Sequence, residues 1–341
     1  MSWNISKLGE ECKIFSGNSI NAKTKESLYT NVEGTPYIAT KDITYDGNIN
    51  YLNGISIPEE DHDKFRKAKS ECVFICAEGG SAGRKIAFSD TECFFVNKLF
   101  CLEAGSNLLP KYIYYYLRSE AFQIQFKNAL TGLIGGVSLS KIKLFEITYP
   151  SLSVQKQIVE KLDAAFAEID KAISSTEKNI ENAETLFRQS LDKLFNSDNS
   201  KKYNLGDVCK FIGGSQPPKS KFEVTKTEEN IRLIQIRDYK SDKNIVYIPK
   251  ELAKRHCKKD DVMIGRYGPP VFQILRGIEG SYNVALMKAE PDSNLLTKDY
   301  LFYFLKNPRI QNYIIFLSKR AAGQSGLNKQ TIEPYPIPIP N

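Results

Sequence analysis

The sequence is poor in the residues that catalysis usually draws on. It has two histidines, His62 and His256, and both lie in charged stretches that read as solvated surface. It has no His-containing triad, no paired-carboxylate motif and no Asn/Asp-Pro-Pro-Tyr/Phe run of the kind amino-methyltransferases use. Pro217-Pro218 is followed by Lys219 where that run needs an aromatic. Seven cysteines occur without a Cys-x-x-Cys pair, which predicts buried, reduced thiols rather than disulfides or a zinc site. Cys72 and Cys76 are four apart, with no histidine or second cysteine pair close enough to complete a metal set. No apolar run approaches the ~20 residues that a membrane-spanning helix needs, and Met1–Lys7 lacks an apolar signal core. The expectation is a cytoplasmic chain away from the membrane, non-catalytic, with no metal and no cofactor of its own.

Apolar residues are plentiful enough for sizeable cores: hydrophobic side chains make up 41% of the 341 residues. Net charge is +7, unevenly spread. Segment 151–196 carries 6 Lys/Arg against 8 Asp/Glu, so the surplus of positive charge sits on the flanking parts. A basic surplus on globular parts suits a phosphate-rich partner.

The chain repeats itself. Leu8-Gly9-Glu10-Glu11-Cys12-Lys13, closing on Gly17, returns as Leu205-Gly206-Asp207-Val208-Cys209-Lys210, closing on Gly214. Tyr37–Asp42 aligns with Leu233–Asp238, and Asp46, Asn48, Ile49 and Tyr51 with Asp242, Asn244, Ile245 and Tyr247. Ser106-Asn107-Leu108-Leu109 returns as Ser293-Asn294-Leu295-Leu296, each followed by an aromatic helix, Tyr112–Arg118 and Tyr300–Lys306. Gly135–Lys141 then matches Gly323–Lys329. Five blocks in one order indicate an internal duplication. Short β-rich runs such as Glu71–Ile75 and Asp261–Ile264 lie between Gly-rich turns. The fold class is therefore α+β, with two related mixed α/β domains at 1–150 and 197–341. The aromatic stripes at helical spacing read as core packing.

Between the copies, residues 151–196 read as one long helix. Pro150 precedes it, Ser151 or Ser153 can cap it with Gln155 or Gln157 in the first turn, and neither Pro nor Gly interrupts it. Phe166, Ile173, Ile180, Phe187 and Leu194 recur every seven residues. Leu162, Ile169, Thr176, Ala183 and Ser190 form a second, weaker seam, and the two together have coiled-coil spacing. At 1.5 Å per residue such a helix is ~65 Å long, about two turns of B-DNA. A seam of this length calls for a partner helix, and a homodimer through it is one expectation. A symmetrical duplication would place a second long helix after copy two. Copy two instead runs Ile332–Pro340 and reaches Asn341, so the distal helix is expected to be missing.

The candidate ligand contacts are cations beside glycine turns. Glu78–Lys85 resembles a phosphate-cradling loop in composition but lacks the Gly-Lys-Ser/Thr ending of a P-loop. It offers Arg84 and Lys85. The equivalent turn in copy two, Gly265–Pro270, offers Arg266. A second pair of Gly-rich stretches, Thr131–Gly136 and Gly323–Gly326, precedes Lys141 and Lys329 and includes Gln324 and Ser325. Lys41 and Arg237 occupy matching strand ends. Such side chains hold phosphates or read base edges.

Order and residues together resemble one family, the DNA-specificity (S) subunits of Type I restriction–modification enzymes. The paired Leu-Gly-Glu/Asp-x-Cys-Lys openings and the Gly-rich turns carry the resemblance. So does the run from Ser138-Leu139-Ser140-Lys141 through Tyr149-Pro150-Ser151-Leu152 to Gln155–Val159, which looks like the junction of a target recognition domain with its spacer helix. The resemblance implies two such domains on double-stranded DNA, each reading one half of a gapped target. It implies spacer helices that set the gap and seat methyltransferase (M) and restriction (R) subunits. Those partners, not this chain, would carry S-adenosylmethionine, ATP and magnesium. The competing expectation is a coiled-coil scaffold with duplicated interaction domains and no DNA role.

Overall fold

The computed structural model describes residues 3–131, 135–195, 200–268, 270–320 and 327–340. It divides into two compact units, Met1–Ile173 and Ser174–Asn341, and the division falls inside the long helix.

The first unit opens with strand Asn4–Lys7, paired antiparallel to Glu146–Tyr149 so that the two ends of the copy close on each other. A four-stranded antiparallel sheet follows in the order Cys12–Ser16, Leu99–Ala104, Cys72–Cys76, Ile86–Ser89. A second sheet runs Ser56–Ile57, Thr35–Ile38, Cys93–Phe95, Lys67–Ala68, with its central pair parallel. Strand Cys72–Cys76 shows why the β-rich run reads as buried: both of its faces are covered. Val73 and Ile75 join the cluster under helices Pro110–Arg118 and Glu120–Ala129, with Ile113, Leu117, Phe122 and Phe126. Cys72, Phe74 and Cys76 face the other way, onto Ile38, Cys93 and Phe95. Alternation of side chains along a strand does the sorting, and each fully buried Phe or Ile contributes roughly 1.5–3 kcal/mol.

The second unit repeats this plan strand for strand. Lys201–Asn204 pairs with Pro336–Ile339. One sheet runs Cys209–Gly213, Leu286–Pro291, Val262–Gly265, Gln273–Leu275, and the other Tyr247–Pro249, Asn230–Ile234, Gly280–Tyr282, His256–Cys257. Helices Lys298–Leu305 and Pro308–Arg320 cover the first sheet through Leu301, Leu305, Ile310 and Ile314. The copies part company after Gly17 and Gly214. Helix Ala22–Leu28, capped by Asn21 on Thr24 N, has as its counterpart only the single turn Lys219–Lys221 beyond Pro217-Pro218.

The matched residues of the repeat are the ones with least room to vary. Leu8 and Leu205 are fully buried. Gly9 N and Gly206 N donate to Lys143 O and Glu333 O, each at 2.9 Å. A Cβ on Gly9 would stand 2.7 Å from Lys143 Cβ, and one on Gly206 2.9 Å from Glu333 Cβ. At Gly17 a Cβ would lie 1.8 Å from Phe95 O, and at Gly214 2.0 Å from Asn283 O. All seven cysteines are buried and free, as the sequence predicts. Burial pushes the thiols of Cys12 and Cys209 up to about 12 and that of Cys257 to about 11.

The long helix spans Leu152–Leu194, 43 residues. Ser151 O accepts Val154 N and Gln155 N at its start. Gln155 has a larger role than a first-turn cap. It is fully buried, its Oε1 accepts Leu109 N at 2.9 Å, and its Nε2 donates to Asn107 O and Pro150 O. Lys111 and Tyr115 hydrogen-bond Asp163 at 2.7 and 2.6 Å, and the Phe166 ring stacks on Tyr115. In the second unit Leu191 is buried, its carbonyl accepts Asn307 Nδ2, and Arg309 grips both oxygens of Asp192. The remaining seam side chains are largely uncovered: Leu162 is half-buried, while Phe166, Ile169, Ile173, Ile180, Phe187 and Leu194 range from 41% to 71% exposed. No helix among the described residues is long and apolar enough to cross a membrane.

Gly17→Ala forces backbone apart and costs about 2–3 kcal/mol in chemical denaturation. Gly80→Ala, where a Cβ meets nothing within 4 Å, costs less than about 0.5 kcal/mol. Gln155→Ala strands one N–H and two carbonyls in the interior and costs about 3 kcal/mol. Burial would raise the Asp163 carboxyl, but the bonds from Lys111 and Tyr115 outweigh it and hold the group below its usual range. Because folding depresses this acid, its contribution is full above pH about 4 and is lost as pH falls further. Asp163→Asn therefore flattens the acid limb of a pH–stability curve.

Candidate nucleic-acid interface

In the first unit the structure brings three predicted loops together. Loop 39–50 is built on Asp42, whose buried carboxylate accepts Ala39 N at 2.8 Å and whose carbonyl accepts Asn50 N. Thr44 and Asn48 close its tip, and Gly47 takes φ +93°, which suits glycine. Arg118 reaches from helix Pro110–Arg118 to Asp46 O at 3.0 Å and to Tyr114 Oη at 2.9 Å. This clamp presents Tyr45, which is 50% exposed.

Turn 78–85 lies alongside. Gly83 has φ +70°, its N–H donates to Cys76 O, and its carbonyl accepts Gln123 Nε2 at 2.9 Å. Gly79 N donates to Gly135 O at 2.8 Å, and Glu78 bridges Gly136, so the two Gly-rich stretches of copy one are neighbours. Residues 132–134 lie outside the described residues. Lys85 joins the turn to loop 39–50: its Nζ donates to Thr40 O at 2.8 Å. The Arg84 guanidinium lies 4.8 Å from the Tyr45 ring centroid, and Lys85 Nζ 5.4 Å from the same ring. Tyr45 Oη is 3.4 Å from Ser81 Oγ.

The second unit juxtaposes the equivalent turns by other means. A Cβ on Gly265 would sit 3.4 Å from Ile236 Cδ1, which puts the Arg266 turn beside the Arg237 turn. Arg266 Nε donates to Leu327 O at 2.9 Å and Nη1 to Val284 O at 3.2 Å, while Arg266 O accepts Leu327 N. Gln324 and Ser325 fall outside the described residues.

The nominated cations differ in what their donors already do. Lys141 Nζ is tied to Ala129 O at 3.0 Å, Arg237 Nη2 reaches Asn244 O at 3.4 Å, and Lys329 Nζ stands 3.9 Å from Glu333. Lys41 and Arg84 are exposed, and among the described residues neither side chain makes a hydrogen bond or ion pair. No cluster of three or more His, Cys, Asp or Glu side chains suited to a metal occurs among the described residues.

Some features escaped sequence reasoning. His62 is not a solvated surface residue: it is half-buried, packs at a tilt with its ring centroid 5.0 Å from that of Phe94, and lies 3.3 Å from both Thr35 Oγ1 and Ile57 O. Phe94 makes this niche, and it comes from a strand 32 residues away in the chain. His256 is exposed, as its charged neighbours imply. A polar layer under the Arg237 turn was also missed. Arg232 Nε, Gln235 Nε2, Asp238 Oδ1 and Tyr239 Oη are buried without a hydrogen-bond partner among the described residues. Burial pushes the Asp238 carboxyl up, against the bond from Gln235 N and the nearby charges of Arg232 and Arg237. Copy one has Pro36, Ala39, Asp42 and Ile43 at the matching places.

Comparison with known proteins accords with this architecture. The family model for the Type I restriction modification DNA specificity domain matches residues 1–182 and 197–341. The Type I restriction enzyme StySPI specificity subunit of Salmonella potsdam is 22% identical over 361 aligned residues, covering 94% of this chain and 75% of that protein. A chain from work on complex assembly and conformational transition of the type I R-M system superposes with a TM-score of 0.75 at 17% identity, over 99% of this chain and 86% of that one. The HsdS subunit from Thermoanaerobacter tengcongensis superposes with a TM-score of 0.55 at 18% identity, over 99% and 85%. At these identities the structural likeness speaks for the fold, and the family match speaks for the role. The chain belongs to the Type I restriction modification DNA specificity family and is the non-catalytic DNA specificity subunit of such a system.

Proposed function

We propose that residues 1–150 and 197–341 are two target recognition domains, each reading one half of a gapped site on double-stranded DNA. The helix between them serves as spacer and as a seat for methyltransferase and restriction subunits. The observation that carries this reading is the strand-for-strand repetition of one frame in two units whose recognition turns differ. A shared frame with unlike turns suits two similar approaches to the duplex with different base preferences. The type I R-M chain of known structure comes from work on complex assembly, which supports assembly with partner subunits here.

Lys41, Arg84, Lys85 and Lys141 form the contact set of the first domain. Arg237, Arg266, Gln324, Ser325 and Lys329 form that of the second. Lys41 and Arg84 meet DNA directly. Lys85, Lys141 and Arg266 act mainly by holding their turns in place. The exposed seam of the helix, Leu162, Phe166, Ile169 and Ile173 in one unit and Ile180, Phe187 and Leu194 in the other, takes a helix from a partner subunit or from a second copy. Light scattering on the isolated chain separates these: a dimer assigns the seam to a second copy, and a monomer assigns it to partner subunits.

The functional test is co-expression with the neighbouring methyltransferase and mapping of methylated bases. A gapped motif is expected, whereas a continuous motif, or none, overturns the reading. In the same complex Lys41→Ala should weaken binding to all sequences alike and reduce the slope of log K against log salt by about 0.9.

A further inference from the structure

An arginine reads a guanine well only when its guanidinium is both ordered and unspent. Two parallel N–H groups must meet O6 and N7 of the base in one plane. The two turns each contain one arginine beside glycine, Arg84 at the end of its turn and Arg266 at the start of the other, where copy one has Ala77, and each lies over a tyrosine, at 4.8 Å from Tyr45 and 5.3 Å from Tyr267. Only one fork is free. Arg266 gives Nε to Leu327 O and Nη1 to Val284 O, so it is a bracket for its own turn. Arg84 has no hydrogen bond or ion pair from its side chain among the described residues, and its guanidinium lies over the Tyr45 ring.

Tyr45 is well placed to hold that fork. Its loop is clamped by Arg118 on Asp46 O and by the Thr44–Asn48 closure. Lys85 spans from the Arg84 turn to Thr40 O, fixing the two loops against each other. The ring is half exposed, so a guanidinium stacked on it stays at the surface while losing freedom. Stacking sets the plane of the fork, and plane matters for a base edge far more than for a phosphate.

We propose that Tyr45 is the positioning residue for base recognition in the first domain, holding Arg84 as a planar fork for a guanine in the first half-site. The second domain, with Arg266 committed to backbone, reads its half-site without that fork. This rests on the two-domain reading above and adds the base and the residue pair.

The test uses the full chain with its methyltransferase on DNA randomised in one half-site at a time. One guanine of the first half-site should show about tenfold preference. Replacing it by 7-deazaguanine, which lacks the N7 acceptor, should remove most of that preference. Tyr45→Leu and Arg84→Lys should each flatten that position and leave the second half-site unchanged, while Tyr45→Phe, which keeps the ring, should retain the preference. An unaltered profile in Tyr45→Leu overturns the inference. So does an equal loss at every position, which would make Arg84 a phosphate contact, or indifference to 7-deazaguanine. A wild-type profile with no gapped preference at all overturns instead the two-domain reading on which the inference stands.

Discussion

Each domain depends on one close approach. Where the chain leaves the first strand of its helix-covered sheet, it passes so near a carbonyl at the end of a strand of the other sheet that no side chain fits: Gly17 against Phe95 O, Gly214 against Asn283 O just beyond Gly280–Tyr282. The approach also carries hydrogen bonds, Asn18 N to Phe95 O at 2.9 Å in one copy and Ser215 N to Tyr282 O at 3.1 Å in the other. With the two sheets locked there, both faces of Cys72–Cys76 and of Val262–Gly265 are covered, and the turns that follow those strands emerge at a defined place. Arg84 and Arg266 sit on those turns.

The duplication was legible in sequence for this reason. Leu8, Gly9, Cys12 and Gly17, with their counterparts Leu205, Gly206, Cys209 and Gly214, occupy sites where burial or contact leaves little choice of residue. Short β-rich runs between glycine turns marked strands, and the run without Pro or Gly marked the helix. What sequence could not give was the state of each cation. Whether Arg266 is free depends on Leu327 O, 61 residues along the chain, and whether Lys85 is free depends on Thr40 O, 45 residues back. Composition ranks these side chains equally, and only the placement of carbonyls separates them. Gln155 is a similar case. A glutamine in a first turn suggests a cap, but here its amide enters the domain and satisfies Leu109 N, Asn107 O and Pro150 O.

The copies share a frame and differ beneath the Arg237 turn and its counterpart. In the first, the Thr40–Asp42 turn rests on apolar neighbours and on the Arg118 clamp. In the second, where Asp238 repeats Asp42, Arg232, Gln235 and Tyr239 put polar groups where copy one has Pro36, Ala39 and Ile43. Buried polar groups are costly unless paired, so the unpaired atoms of this layer weigh against the stability of the second unit.

The cysteines have a practical consequence. All seven are buried, and the thiols of Cys12, Cys209 and Cys257 are held well above neutrality. Alkylation needs an accessible thiolate, so maleimide chemistry at neutral pH will pass over the native set. The folded chain is already a silent background for site-directed labelling. One cysteine introduced at an exposed position such as Leu52 and another at Val224 would carry a donor and an acceptor dye, so that the separation of the two domains can be followed on single molecules as DNA and partner subunits are added.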